Sequence, residues 1–157
     1  MRVHIATDHA GMELSAHLVK HLAEAGHEVI DHGPAEYDAE DDYPDFIIPA
    51  AEALAADWVA GEQSAGIVLG GSGNGEQIAA NKVKGVRAAL AWNLETAQLA
   101  REHNNANVLG LGGRQHSLEE ATGIVDAFLA AEWSDAERHA RRIRKITRYE
   151  STGTISA

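Results

Sequence analysis

Five short apolar runs rich in β-branched residues, at about 2–6, 27–31, 66–70, 86–91 and 107–111, alternate with longer stretches of helical periodicity. That alternation restricts the chain to a mostly parallel sheet, because parallel neighbours need right-handed crossovers whose helices bury an apolar stripe on the sheet. The first helical stretch is typical: Leu14, Leu18 and Leu22 recur every four residues, Val19 and Ala25 widen the stripe, and Gly26 supplies a C-terminal stop. Further helices are expected at about 45–58, 76–83, 95–104, 118–130 and 135–150, and "HEVID" at 27–31 is the weakest strand. The expected fold class is α/β, a three-layer α/β/α sandwich on a five-stranded parallel sheet. A length of 157 residues fits one domain, expected over 1–150, with "STGTISA" at 151–157 as a flexible tail.

Composition excludes several function classes. A net charge of −11 argues against nucleic acid or an anionic membrane surface as a partner, since both require broad positive surfaces. No run approaches the ~18 apolar residues of a membrane span. The opening "MRVHIATDHAG" holds an apolar run too short for a signal-peptide core, so a cytoplasmic location is expected. Cysteine is absent, which removes thiolate nucleophiles, disulfides and cysteine zinc sites. One local reversal of charge stands out: Arg138, Arg141, Arg142, Arg144, Lys145 and Arg148 crowd a short C-terminal segment.

In open α/β sheets ligands bind beyond the carboxyl ends of the strands. Those ends carry "TDHAG" with Asp8 and His9, "GGSGNGE" at 70–76, and "GLGGRQH" with Arg114 and His116. Asp8 by itself reads equally as a helix cap. The glycine turn lacks the Lys-Ser/Thr ending of a P-loop, and a G-x-G-x-x-G frame from Gly71 meets Glu76 where its last glycine belongs. A carboxylate there repels a phosphate dianion but suits a transient oxyanion, with Glu76 as a general base beside backbone N–H donors. The other reading of Glu76 is an ordinary first-turn acid of a helix.

"REHNNAN" adds His103, Asn104 and Asn105 at a helix end. Arg138 and Arg142, four apart, share a helix face as two forks able to grip one phosphate, with His139 adjacent and with Ile143 and Ile146 expected to pack inward. A solvated basic face is the alternative. His17 and His21 form H-x-x-x-H without the glutamate of a zinc protease, and read as surface residues. The acidic loop "DHGPAEYDAEDDYPDF" lacks EF-hand spacing and reads as a solvated turn.

Together, "ATDHAG", "GGSGNGEQIAANK", "REHNNAN", "GGR" and "RHARRI" resemble the sugar-phosphate isomerases of the ribose-5-phosphate isomerase B type, from Arg2 to about Tyr149. The resemblance implies a Rossmann-like sandwich, a homodimer or tetramer with sites at the subunit interface, no cofactor and no metal. It also implies interconversion of ribose 5-phosphate and ribulose 5-phosphate in the pentose phosphate pathway. Many members carry a cysteine base where this chain has Gly70, so the likeness is to the cysteine-free branch, with Glu76 as base. Asp8 and His103 would then assist ring opening, and Gly71, Ser72, Gly73, Asn74 and Gly75 would surround the enediolate oxygens, with Ser72 steadying one. His9, Arg114, Arg138 and Arg142, with His139 beside them, would hold phosphate or substrate, and Asn104 would orient hydroxyls. Six-carbon or four-carbon aldose phosphates remain alternative substrates, and a non-catalytic sugar-phosphate sensor is the rival from another class.

Overall fold

A computed structural model of the chain describes residues 1–156. Its strands are β1 (Arg2–Thr7), β2 (Glu28–Asp31), β3 (Ser64–Gly70), β4 (Ala88–Leu90) and β5 (Val108–Gly112). Its α-helices are α1 (Met12–Glu24), α2 (Pro44–Val59), α3 (Asn74–Ala80), α4 (Leu94–Asn104), α5 (Leu118–Ala130) and α6 (Glu137–Thr152), and a short 3-10 turn, His9–Gly11, leads into α1. The sheet is parallel throughout, in the order β2-β1-β3-β5-β4. This is the α/β/α sandwich expected from the alternation of runs.

Alternate side chains of the strands feed two cores. Val3, Ile5, Ile67, Leu69, Leu109 and Leu111 pack with Leu18 and Leu22 of α1 and with Ile124, Val125 and Phe128 of α5. Ala6, Val68 and Val108 point the other way, onto Ile47 and Leu54 of α2 and Ala79 and Ala80 of α3. Each fully buried Leu, Ile or Phe stabilises the fold by roughly 1.5–3 kcal/mol, which fixes strand register and holds the strand ends in place.

Three elements depart from the sequence reading at their boundaries. The fourth strand pairs only over Ala88–Leu90, because the Arg87 N–H turns to the Asn107 side chain instead of the sheet. α3 starts at Asn74 because Gly73 turns the chain with φ of 80°, a left-handed value that favours glycine. It ends at Ala80, where the Asn81 side chain ties the next segment to the backbone of Ala88. α6 continues to Thr152, two residues beyond the domain end expected from the sequence. Ala157 lies outside the described residues.

α6 touches α4 but buries only His139. Ile143 is half-buried, whereas Ile146 is exposed, so the inward packing expected of both isoleucines holds for one. Among the described residues no helix is long and apolar enough to cross a membrane.

Candidate active site

Successive connections leave in opposite directions at the β1/β3 boundary, since β2 lies on one side of β1 and β3 on the other. A crevice therefore opens beyond the ends of these two strands. Asp8 ends β1. Its Oδ1 accepts a hydrogen bond from the Ala10 N–H at 2.9 Å, so it does cap the 3-10 turn, and it is 8% exposed at the crevice floor.

β3 runs directly into the glycine turn. The carbonyls of Gly70 and Gly71 accept from the Gly113 N–H at 2.7 Å and the Arg114 N–H at 3.1 Å, which staples the turn to the loop after β5. The N–H groups of Gly71, Ser72, Gly73 and Gly75 have no acceptor among the described residues, and Gln77 is the first to donate back along α3. Such a set of free backbone donors stabilises an oxyanion, and it cannot rotate away. Ser72 is exposed, and its Oγ accepts from both the backbone and the side-chain N–H of Asn74. Its own hydroxyl proton stays available to an oxygen in the crevice.

Glu76 folds back beneath this turn and is 4% exposed. Its carboxylate lies against the Cα of Gly70 so closely that a Cβ there would overlap the carboxyl carbon and both oxygens. Glycine at 70 thus makes the space in which Glu76 sits. Burial pushes the Glu76 carboxyl above its usual range; a hydrogen bond from its own N–H opposes this, and the negative charge of Asp8 adds to it. A surface helix acid would show none of this. A carboxyl held in this way can take up and return a proton.

His9 stands on the rim. Asp41, in the loop between β2 and α2, accepts from the His9 backbone N–H at 3.0 Å and contacts His9 Nδ1 at 2.6 Å. That hydrogen bond raises the His9 pKa, burial opposes it, the charges of Asp8 and Asp41 add to it, and Arg114 works against it. Arg114 extends past Gly71 on the same rim. Tyr37 meets the His9 ring edge-on, and Tyr43 covers Gly75 from below. Asp41, Tyr37 and Tyr43 are absent from the sequence-based site. The solvated-turn reading of their loop fails at Asp41, whose side chain is 7% exposed.

Folding also brings ligand-type atoms of Asp8, His9 and Asp41 within 4.8 Å of one another. The imidazole and the Asp41 carboxylate are hydrogen-bonded to each other, the arrangement of an ion pair. In front of the turn a cavity of about 410 Å³ runs between Ser72, Asn74, Trp92 and His116.

The remaining predicted residues lie elsewhere. α4 returns toward the amino ends of the strands before β5 begins, so His103 and Asn104 sit at the opposite end of the sheet from Glu76. A strand of this length spans roughly 17 Å at about 3.3 Å per residue. There the His103 and His139 rings stack at 4.3 Å with planes 11° apart. His139 is buried, and its Nε2 accepts from Arg138 Nε at 3.0 Å, so the ring stands behind Arg138 with this nitrogen already used. Burial lowers the His139 pKa, and the positive charge of His103, Arg138 and Arg142 lowers it further. Arg138 and Arg142 themselves are exposed. A cavity of about 620 Å³ between Trp58, Arg101 and Trp133 also lies at this end, away from Glu76. The predicted site residues therefore fall into two groups at opposite ends of the sheet.

A family model described as Ribose/Galactose Isomerase matches residues 3–146. Ribose-5-phosphate isomerase B of Mycolicibacterium paratuberculosis is 59% identical over 152 residues, 97% of this chain and 93% of that protein. The structure of ribose-5-phosphate isomerase B from Clostridium thermocellum superposes with a TM-score of 0.90 at 42% identity, covering 98% of this chain and 100% of the other. The Mycoplasma genitalium enzyme, solved with bound ribulose-5-phosphate, also gives a TM-score of 0.90 at 44% identity, covering 96% and 97%.

Proposed function

The chain belongs to the ribose/galactose isomerase family, and we propose that it interconverts ribose 5-phosphate and ribulose 5-phosphate, with Glu76 as the base. The observation that carries the proposal is the buried Glu76 carboxylate lodged against Gly70 beside the free N–H groups of Gly71, Ser72, Gly73 and Gly75. Glu76 removes the C2 proton of the open-chain aldose as the C1 carbonyl oxygen becomes the enediolate oxygen, which the turn amides stabilise. The hydroxyl proton passes from O2 to O1, and Glu76 returns its proton to C1. A carboxyl pKa moved toward neutrality serves both halves of this cycle.

The sugar-phosphate chemistry needs more than one half-site. In a homodimer the arm formed by α6 and the end of α4 reaches the second copy's crevice. His103 of one copy then opens the furanose with Asp8 of the other, Asn104 orients hydroxyls, and Arg138 and Arg142 close on the phosphate with His9 and Arg114. His139 holds the Arg138 fork in place. Exposed Trp92, Leu94, Ile146 and Tyr149 favour such pairing, since apolar side chains on the crevice rim and on α6 are otherwise left in water. Interface-shared sites also explain why these residues split between the two ends of the sheet.

The test is complementation between two inactive variants. Glu76→Gln and His103→Ala homodimers lack one member of every site, but a mixed isologous dimer regains one complete site, so random re-pairing restores about a quarter of the sites. Recovery near that fraction supports the shared site, and no recovery removes it. A panel of five-carbon, six-carbon and four-carbon aldose phosphates, run on the wild type, decides the substrate.

A further inference from the structure

The acidic loop between β2 and α2 contributes a side chain that the mechanism above does not use. We propose that Asp41 is a positioning residue acting through His9: one carboxylate holds both the backbone N–H and the ring Nδ1–H, leaving Nε2 as the free ring nitrogen turned to the substrate phosphate. The inference rests on the proposed function and deepens it.

The geometry is specific. Asp41 is 32 residues from His9 in sequence, yet it grips His9 at two points, 3.0 Å from the backbone nitrogen and 2.6 Å from Nδ1. A carboxylate accepts only, so Nδ1 carries the proton. A neutral ring in that tautomer would present a lone pair at Nε2, which repels phosphate. The imidazolium presents an N–H donor and a positive charge, and a nearly buried anion at Nδ1 favours that form. The other charges facing His9 are Asp8 at the end of β1, which favours the imidazolium, and Arg114 after β5, which opposes it. Tyr37 meets the ring edge-on at 5.9 Å. Arg114 and the imidazolium then form a two-donor rim for a dianion, and Asp41 offsets the repulsion between them.

Asp41→Asn keeps the size and removes the charge. The experiment follows the His9 ring by NMR titration, the Kd of inorganic phosphate, and KM and kcat for ribose 5-phosphate from about pH 6 to about pH 8. The midpoint of the His9 titration moves down, KM and the phosphate Kd rise about tenfold near the top of that range, and kcat stays within about threefold. The increase disappears in a His9→Gln background, where Asp41 has no ring to act through. An unmoved His9 titration, or an equal loss of phosphate affinity in the His9→Gln background, overturns the proposal. The titration and the phosphate Kd need no turnover, so an enzyme that failed to isomerise ribose 5-phosphate would sink the proposed function and leave this test intact.

Discussion

Gly70→Ala removes the space in which the Glu76 carboxylate lies. The added Cβ overlaps the carboxyl carbon and both oxygens, so the side chain must swing away. The displaced atoms are the far end of a flexible chain, and Gly70 does not have a positive φ, so no backbone strain is added. An off-rotamer side chain costs about 0.5–1.5 kcal/mol, and losing the hydrogen bond to the Glu76 N–H costs about 1 kcal/mol more. For a chain of this size that lowers Tm by roughly 3–10 °C. The effect on rate is larger, because a misplacement of about 1 Å at a reacting group costs on the order of 100-fold. Thermal unfolding by circular dichroism and turnover of ribose 5-phosphate measure the two effects in one variant. A folded Gly70→Ala enzyme with wild-type kcat would mean that Glu76 does not need the position that Gly70 allows.

The raised Glu76 pKa has a consequence for stability. Between the unfolded carboxyl pKa of about 4.3 and its raised folded value, the folded chain binds more protons than the unfolded chain, so this group's contribution falls as pH rises through that window. Glu76→Gln escapes the loss: its Tm exceeds that of the wild type at neutral pH, and the difference closes below about pH 4, as read from melting curves over pH. Arg142→Ala removes a charge-assisted contact worth about 1.5–3 kcal/mol and raises KM for ribose 5-phosphate by about 10- to 150-fold, with a smaller fall in kcat; unchanged kinetics would take Arg142 out of the phosphate clamp.

The sandwich was legible because apolar runs rich in β-branched residues and four-residue leucine spacing are local properties of the chain. Glu76 was legible as well, as a charge misfit in an otherwise phosphate-like turn. Its confinement by Gly70 was not, because that contact depends on how α3 folds back under β3. Asp41 was hidden in a run of acids whose members look alike in sequence, and only the path of the β2–α2 loop selects the one that meets His9. His103 and Arg138 appeared as chemistry, but their placement at the opposite end of the sheet from Glu76 follows from the direction of α4. Ile146 misled for a related reason: its spacing matched a buried stripe, while α6 leaves that stripe bare within one chain.

The most direct measurement is conversion of ribose 5-phosphate to ribulose 5-phosphate by the wild type and by Glu76→Gln, both with a metal chelator present. The chelated wild type retains full turnover, and Glu76→Gln loses at least about 1000-fold in kcat while still binding inorganic phosphate. Substantial turnover by Glu76→Gln, or loss of wild-type turnover on chelation, would contradict a metal-free reaction driven by the Glu76 carboxylate.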